Sequence, residues 1–123
     1  MKKLICLVLL LGGQAGAGYI PDMPYFHQYS NRLNPSGSCQ NTCIAIVLKY
    51  YGADDITPDK ISAKWGTYIA QTTGGLEKIF NAEAALRGLP VRDLAANAGT
   101  LRELHGLLDA GRPVIVHGGF SEV

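Results

Sequence analysis

Ser38-Cys39-Gln40-Asn41-Thr42-Cys43-Ile44-Ala45-Ile46-Val47-Leu48-Lys49-Tyr50-Tyr51-Gly52 decides the fold of this chain. A polar loop, Asn34-Pro35-Ser36-Gly37, runs into it. Residues 39–51 predict a helix that is apolar on almost every face, with Lys49 its only charge and Gly52 placed to end it. Such a helix is buried on all sides, so the rest of the domain must wrap around it. A cysteine stands where the helix begins. The N–H groups of a first helical turn and the helix dipole favour negative charge there, and so favour thiolate over thiol. A thiol nucleophile needs this placement, and Cys39 is the candidate.

Upstream, Tyr19 to Tyr29 contains two prolines after Ile20, Pro21 and Pro24, which exclude a helix and a central strand. The expectation is an extended arm whose aromatics dock on the core. Ser30 to Ser38 is a polar loop with Asn-Pro and Ser-Gly turn signals. Downstream, Asp54-Asp55 reads as a solvated turn. Thr57-Pro58-Asp59 is a helix start, with a capping threonine, a proline at the first position and an acid in the first turn. Thr72-Thr73-Gly74-Gly75 reads as a turn. Leu76 to Arg87 follows helical spacing and stops at Gly88. Pro90 to Leu94 is a short extended piece. Thr100-Leu101-Arg102-Glu103 is a capping box, opening a helix with Leu101, Leu104, Leu107 and Leu108 on one face and Gly111 at its end. Pro113 to His117 is then a strand, followed by a Gly118-Gly119-Phe120 loop. One strand makes no sheet; the Val91–Leu94 stretch is a weak partner, being short and polar at Arg92 and Asp93, so partners are expected beyond Val123 or from another chain.

The length of 123 residues fits one domain. Eleven basic and ten acidic residues give a formal charge of +1. Residues 1–17 read as a signal peptide: Lys2-Lys3, eight apolar residues from Leu4 to Leu11, then an Ala15-Gly16-Ala17 cleavage site. Its apolar run is far short of the roughly 20 residues that span a bilayer, so no stable membrane span remains after its removal. Removing Lys2 and Lys3 leaves nine basic against ten acidic residues, or −1. That balance gives no footprint for nucleic acid. A leader implies a secreted or periplasmic, oxidising location. The rest of the chain then keeps Cys39 and Cys43. Four positions apart on one helix, their Cβ atoms would lie about 5–6 Å apart, against about 3.8 Å in a disulfide, so a bridge between them is not expected. Zinc ligation by the pair plus a histidine lacks the second close pair that such sites show, and neither metal nor cofactor is expected.

Pro24-Tyr25-Phe26-His27-Gln28, Asn31, the run from Asn34 to Cys43, and Leu48-Lys49-Tyr50-Tyr51-Gly52 together resemble the N-terminal half of bacterial C-thirty-nine-like cysteine peptidases. These are papain-fold relatives of the bacteriocin-processing peptidases. Thr57-Pro58-Asp59 and the run from Ala110 to Phe120 also resemble that family. The likeness covers about residues 20–120. It implies an α+β, papain-like fold, with a helical lobe and the start of an antiparallel sheet lobe, over a domain of residues 18–123. It implies Cys39 as the nucleophile and Gln28 as the oxyanion-hole donor. Gln40 stands where Gly or Asn is common. Cys43 falls on a small-residue position of the helix and reads as packing.

The resemblance places the catalytic His and its orienting Asp or Asn on strands beyond Pro113–His117. His117 is expected at a strand end away from the helix start, and His27 and His105 as exposed or boundary residues. The domain is therefore expected to be incomplete at its C-terminus and inactive as an isolated 123-residue chain. The reading is an exported thiol peptidase acting on a peptide or protein substrate. The alternative is a non-catalytic exported domain of the same fold that binds peptides or cell-wall material.

Overall fold

The computed structural model describes residues 19–117. The leader of residues 1–17 and the Gly118–Phe120 loop lie outside the described residues. At the centre is α1 (Cys39–Tyr50), buried at every position from Cys39 to Leu48. Ile44, Ala45 and Leu48 are 0% exposed, as its nearly unbroken apolar sequence requires. Helices α2 (Pro58–Trp65) and α3 (Thr73–Leu86) and a 3₁₀ turn at Ile69–Gln71 pack against it. Their contributions, Ile61, Ala70, Leu76, Ile79, Phe80 and Ala84, form one core with Ile44, Val47 and Leu48. Gly52, at φ +107°, turns the chain after α1.

The helix starts follow local chemistry. Thr57 caps α2 by accepting from Lys60 N–H, with Pro58 at the first position. Thr100 and Glu103 form the expected capping box of α4 (Leu101–Asp109). Helix α3 corrects the reading of its start. It opens at Thr73 rather than Leu76, and Gly74 and Gly75 belong to its first turn. Thr72 caps it by accepting from Gly75 N–H at 3.0 Å. A Cβ at position 75 would collide with the Ile69 carbonyl, so the glycine permits close approach of the 3₁₀ turn, not a bend in the chain.

Two further expectations are corrected. Tyr19, Tyr25 and Tyr29 are 52%, 74% and 68% exposed, so the arm docks through Ile20 and Phe26 and leaves its tyrosines in water. Among the described residues there is no strand. Pro113 to His117 has no regular secondary structure beyond a single bridge residue at Val116, and Ile115 packs on the core. A lone segment acquires a ladder only from a partner strand, and the sheet lobe is not among the described residues. The segment after α3 is held by side chains instead. Asn81 donates from Nδ2 to the Asp93 carbonyl (3.2 Å) and accepts Asp93 N–H (2.7 Å). Glu77 accepts Ala95 N–H.

Glu83 is buried and carries the charge network of the fold. It accepts from Trp65 Nε1 at 2.7 Å, Lys64 Nζ at 2.7 Å and Arg87 Nη1 at 2.6 Å. Burial pushes its carboxyl up, but the hydrogen bonds from Lys64, Trp65 and Arg87 outweigh this and hold it below the usual 4.5. Arg87 also grips Asp55 through two nitrogens, so the expected solvated turn at Asp54-Asp55 is tied to α3.

Gly75→Ala forces the 3₁₀ turn away from α3 and is expected to cost roughly 3 kcal/mol in chemical denaturation. Gly74→Ala meets no atom within 4 Å and should be neutral or stabilising by up to about 1 kcal/mol. The depressed Glu83 carboxyl stabilises the fold above the unfolded-state value of 4.5, and that contribution is lost as pH falls through the lower folded value. Glu83→Gln should therefore lower the melting temperature at neutral pH and weaken its decline in acid, as thermal unfolding across pH would show.

Candidate functional site at the start of the central helix

The start of α1 is a buried polar cluster assembled from three segments. A 3₁₀ turn at Gln28–Ser30 ends with Asn31 N–H donating to the Gln28 carbonyl at 3.1 Å. The Asn31 side chain, 9% exposed, reaches into the helix start. Its Nδ2 donates to Ser38 Oγ (2.9 Å) and to Thr42 Oγ1 (3.0 Å). Thr42 Oγ1 donates in turn to the Ser38 carbonyl at 2.8 Å. Asp59, in the first turn of α2, accepts Arg32 and Leu33 N–H and so anchors the same loop from the other side. Asn34 donates to Thr67 Oγ1, and Gly37 lies so close to the Asn34 amide that a Cβ would clash. The first intrahelical bond runs from Thr42 N–H to the Ser38 carbonyl. The backbone N–H groups of Cys39, Gln40 and Asn41 thus precede the helical ladder.

Cys39 is the first residue of α1 and 3% exposed. Its thiol donates to Gln40 Oε1 at 2.9 Å. Gln40 is 2% exposed, and its Nε2 lies 3.3 Å from His117 Nε2. His117 was expected away from the helix start. The segment in which Ile115 packs against the core returns the histidine to it, across 77 positions of sequence. A thiol, an amide and an imidazole therefore form one chain of contacts. Burial disfavours charge on the sulfur, whereas the helix start favours it. The acceptor oxygen of Gln40 sides with the protonated thiol.

Gln28 is half-buried, and its Nε2 donates to the Pro35 carbonyl at 2.8 Å, in the loop leading to Cys39. His27 is exposed between the rings of Tyr25 and Tyr29, and His105 is exposed on α4. Cys43 is 2% exposed. It does not bridge to Cys39 and lies buried within α1. Among the described residues, no three His, Cys, Asp or Glu side chains gather as a metal site. No described helix is long and apolar enough to cross a membrane. Linear reading missed the Gln40–His117 contact. The one available signal was a polar triplet, Gln40-Asn41-Thr42, opening an otherwise apolar buried helix.

The model of the Peptidase_C39 like family matches residues 20–122, and the chain belongs to that family. The match includes the loop, the cysteine helix, α2 to α4 and the run to His117. It makes the chain peptidase-like at the level of the family, with peptides or proteins as the substrate class, and the helical arrangement is consistent with a papain-like fold. No curated protein and no solved structure matches the chain.

Asn31→Ala removes the donor shared by Ser38 and Thr42 while their hydroxyls stay buried. The expected cost is about 2 kcal/mol in urea denaturation, within the range for orphaned buried polar groups. Arg32→Ala, whose side chain is exposed, should leave stability unchanged within about 0.5 kcal/mol.

Proposed function

We propose that the chain is an exported cysteine peptidase in which Cys39 is the nucleophile and Gln28 the oxyanion donor. The observation that carries the reading is the position of Cys39: the first residue of a buried helix, fixed by Asn31, Ser38 and Thr42, inside the family match. The thiolate adds to the carbonyl carbon, and the π electrons move onto oxygen. The oxyanion is received by Cys39 N–H and by the Gln28 amide, which rotates from the Pro35 carbonyl to meet it. Collapse expels the amine and leaves a thioester on Cys39, which water hydrolyses. This route needs a base that takes the thiol proton and returns it to the amine, a histidine supplied by a further segment or a partner chain. The Lys2-Lys3, Leu4–Leu11 and Ala15-Gly16-Ala17 pattern supports secretion or delivery to the periplasm.

Two observations favour the second reading, a non-catalytic domain that binds peptides or cell-wall material. Cys39 is covered, and the Gln28 donor is engaged by Pro35. Alkylation by iodoacetamide from about pH 4 to about pH 9, mapped to Cys39 by mass spectrometry, separates the two. A peptidase nucleophile should label with a midpoint below about pH 7. A midpoint near about 8.5, that of an ordinary thiol, supports the binding domain. In protein that hydrolyses peptides, Gln28→Ala should lower kcat by about 10²-fold or more with little change in KM, and Cys39→Ser should abolish turnover.

A further inference from the structure

We propose that Gln40 is a positioning residue for Cys39, with its amide orientation set by the ring nitrogen that His117 presents. The functional meaning of this coupling rests on the reading of Cys39 as nucleophile. A side-chain amide is polar in opposite senses at its two ends: the carbonyl oxygen only accepts and the NH₂ only donates. The Cys39 thiol donates to the oxygen at 2.9 Å, which leaves the NH₂ for His117 Nε2 at 3.3 Å. That NH₂ cannot accept, so Nε2 of His117 is the acceptor and the ring proton sits on Nδ1.

Gln40 is 2% exposed, so its two ends answer to these neighbours and not to bulk water. The reversed amide is the only other arrangement that satisfies both contacts. It requires a proton on His117 Nε2, which the carbonyl oxygen then accepts, and it turns the NH₂ toward sulfur. An NH₂ donor matches a thiolate and not an S–H. The present orientation therefore holds the thiol, and the reversed one holds the thiolate. The Nε2 proton comes from solvent, and the thiol proton leaves to solvent or to the base of the reaction. No proton passes through the amide. His117 acts on the sulfur through Gln40.

The full chain tests this directly. The ¹⁵N spectrum of its neutral His117 ring should show the Nδ1–H tautomer, and a dominant Nε2–H tautomer overturns the proposal. This measurement needs no substitution. In the alkylation profile of Cys39, His117→Phe removes the acceptor, lets the NH₂ turn to sulfur and should lower the midpoint. Labelling below the midpoint then rises about tenfold for a shift of about one pH unit. Gln40→Glu places only acceptors and a like charge beside the sulfur and should raise the midpoint. Simple loosening of the helix start would move both variants in the same direction, and shifts of the same sign overturn the coupling. Slow, ordinary labelling of the wild type with opposed shifts in the variants removes the nucleophile reading and keeps the coupling. Fast wild-type labelling that neither variant moves does the reverse.

Discussion

A helix buried along its first ten residues cannot leave its polar first turn to water. That constraint shapes this domain. In α1, the positions from Cys39 to Thr42 carry hydroxyl, amide and thiol groups in the interior, and buried polar groups cost stability unless hydrogen-bonded. Asn31 meets the need at Ser38 and Thr42, and Asn41 donates to Ser62 and to the Gly66 carbonyl at the end of α2. The loop from Gln28 to Gly37 is ordered because the helix start needs its donors. The same bonds hold Cys39 at the head of the helix, so the requirement for folding and the placement of the reactive sulfur are one arrangement.

Glu83 gathers a donor from the indole of α2, a lysine of the same helix and an arginine one turn further on. A single buried carboxylate would be costly there, and three donors offset its desolvation. Arg87 passes the constraint outward to Asp55, which joins the α1–α2 turn to α3. The polar groups of this domain thus act chiefly as joints between elements, and the apolar core supplies the driving force.

Much of the helical part was legible because each signal was local. Thr57-Pro58-Asp59 and Thr100 with Glu103 start helices by bonds within one turn, and the apolar run from Ile44 to Leu48 admits one environment. The start of α3 was misread because Gly74-Gly75 carries a turn signal, and only the approach of Ile69, a tertiary fact, explains glycine there. The tyrosines of the arm have apolar bodies but polar tips, and composition cannot decide which part meets the core. Pro113–His117 has strand composition without a partner to pair with among the described residues. The family residues around Cys39 were readable as a motif. The Gln40–His117 contact was not, because it joins positions 77 apart through no pattern of spacing.

The Asn81 clamp on Asp93 makes a different kind of demand on the chain. Its amide bonds a backbone N–H and a backbone carbonyl, groups that almost every amino acid supplies alike. Leu89 and Val91 lean on the core from the same segment. The stretch between the end of α3 and Asp93 is therefore constrained in length more than in identity. Replacing the exposed Arg92 leaves the clamp intact. Inserting one residue there would slide both backbone groups out of register and uncouple α4 from the rest of the domain.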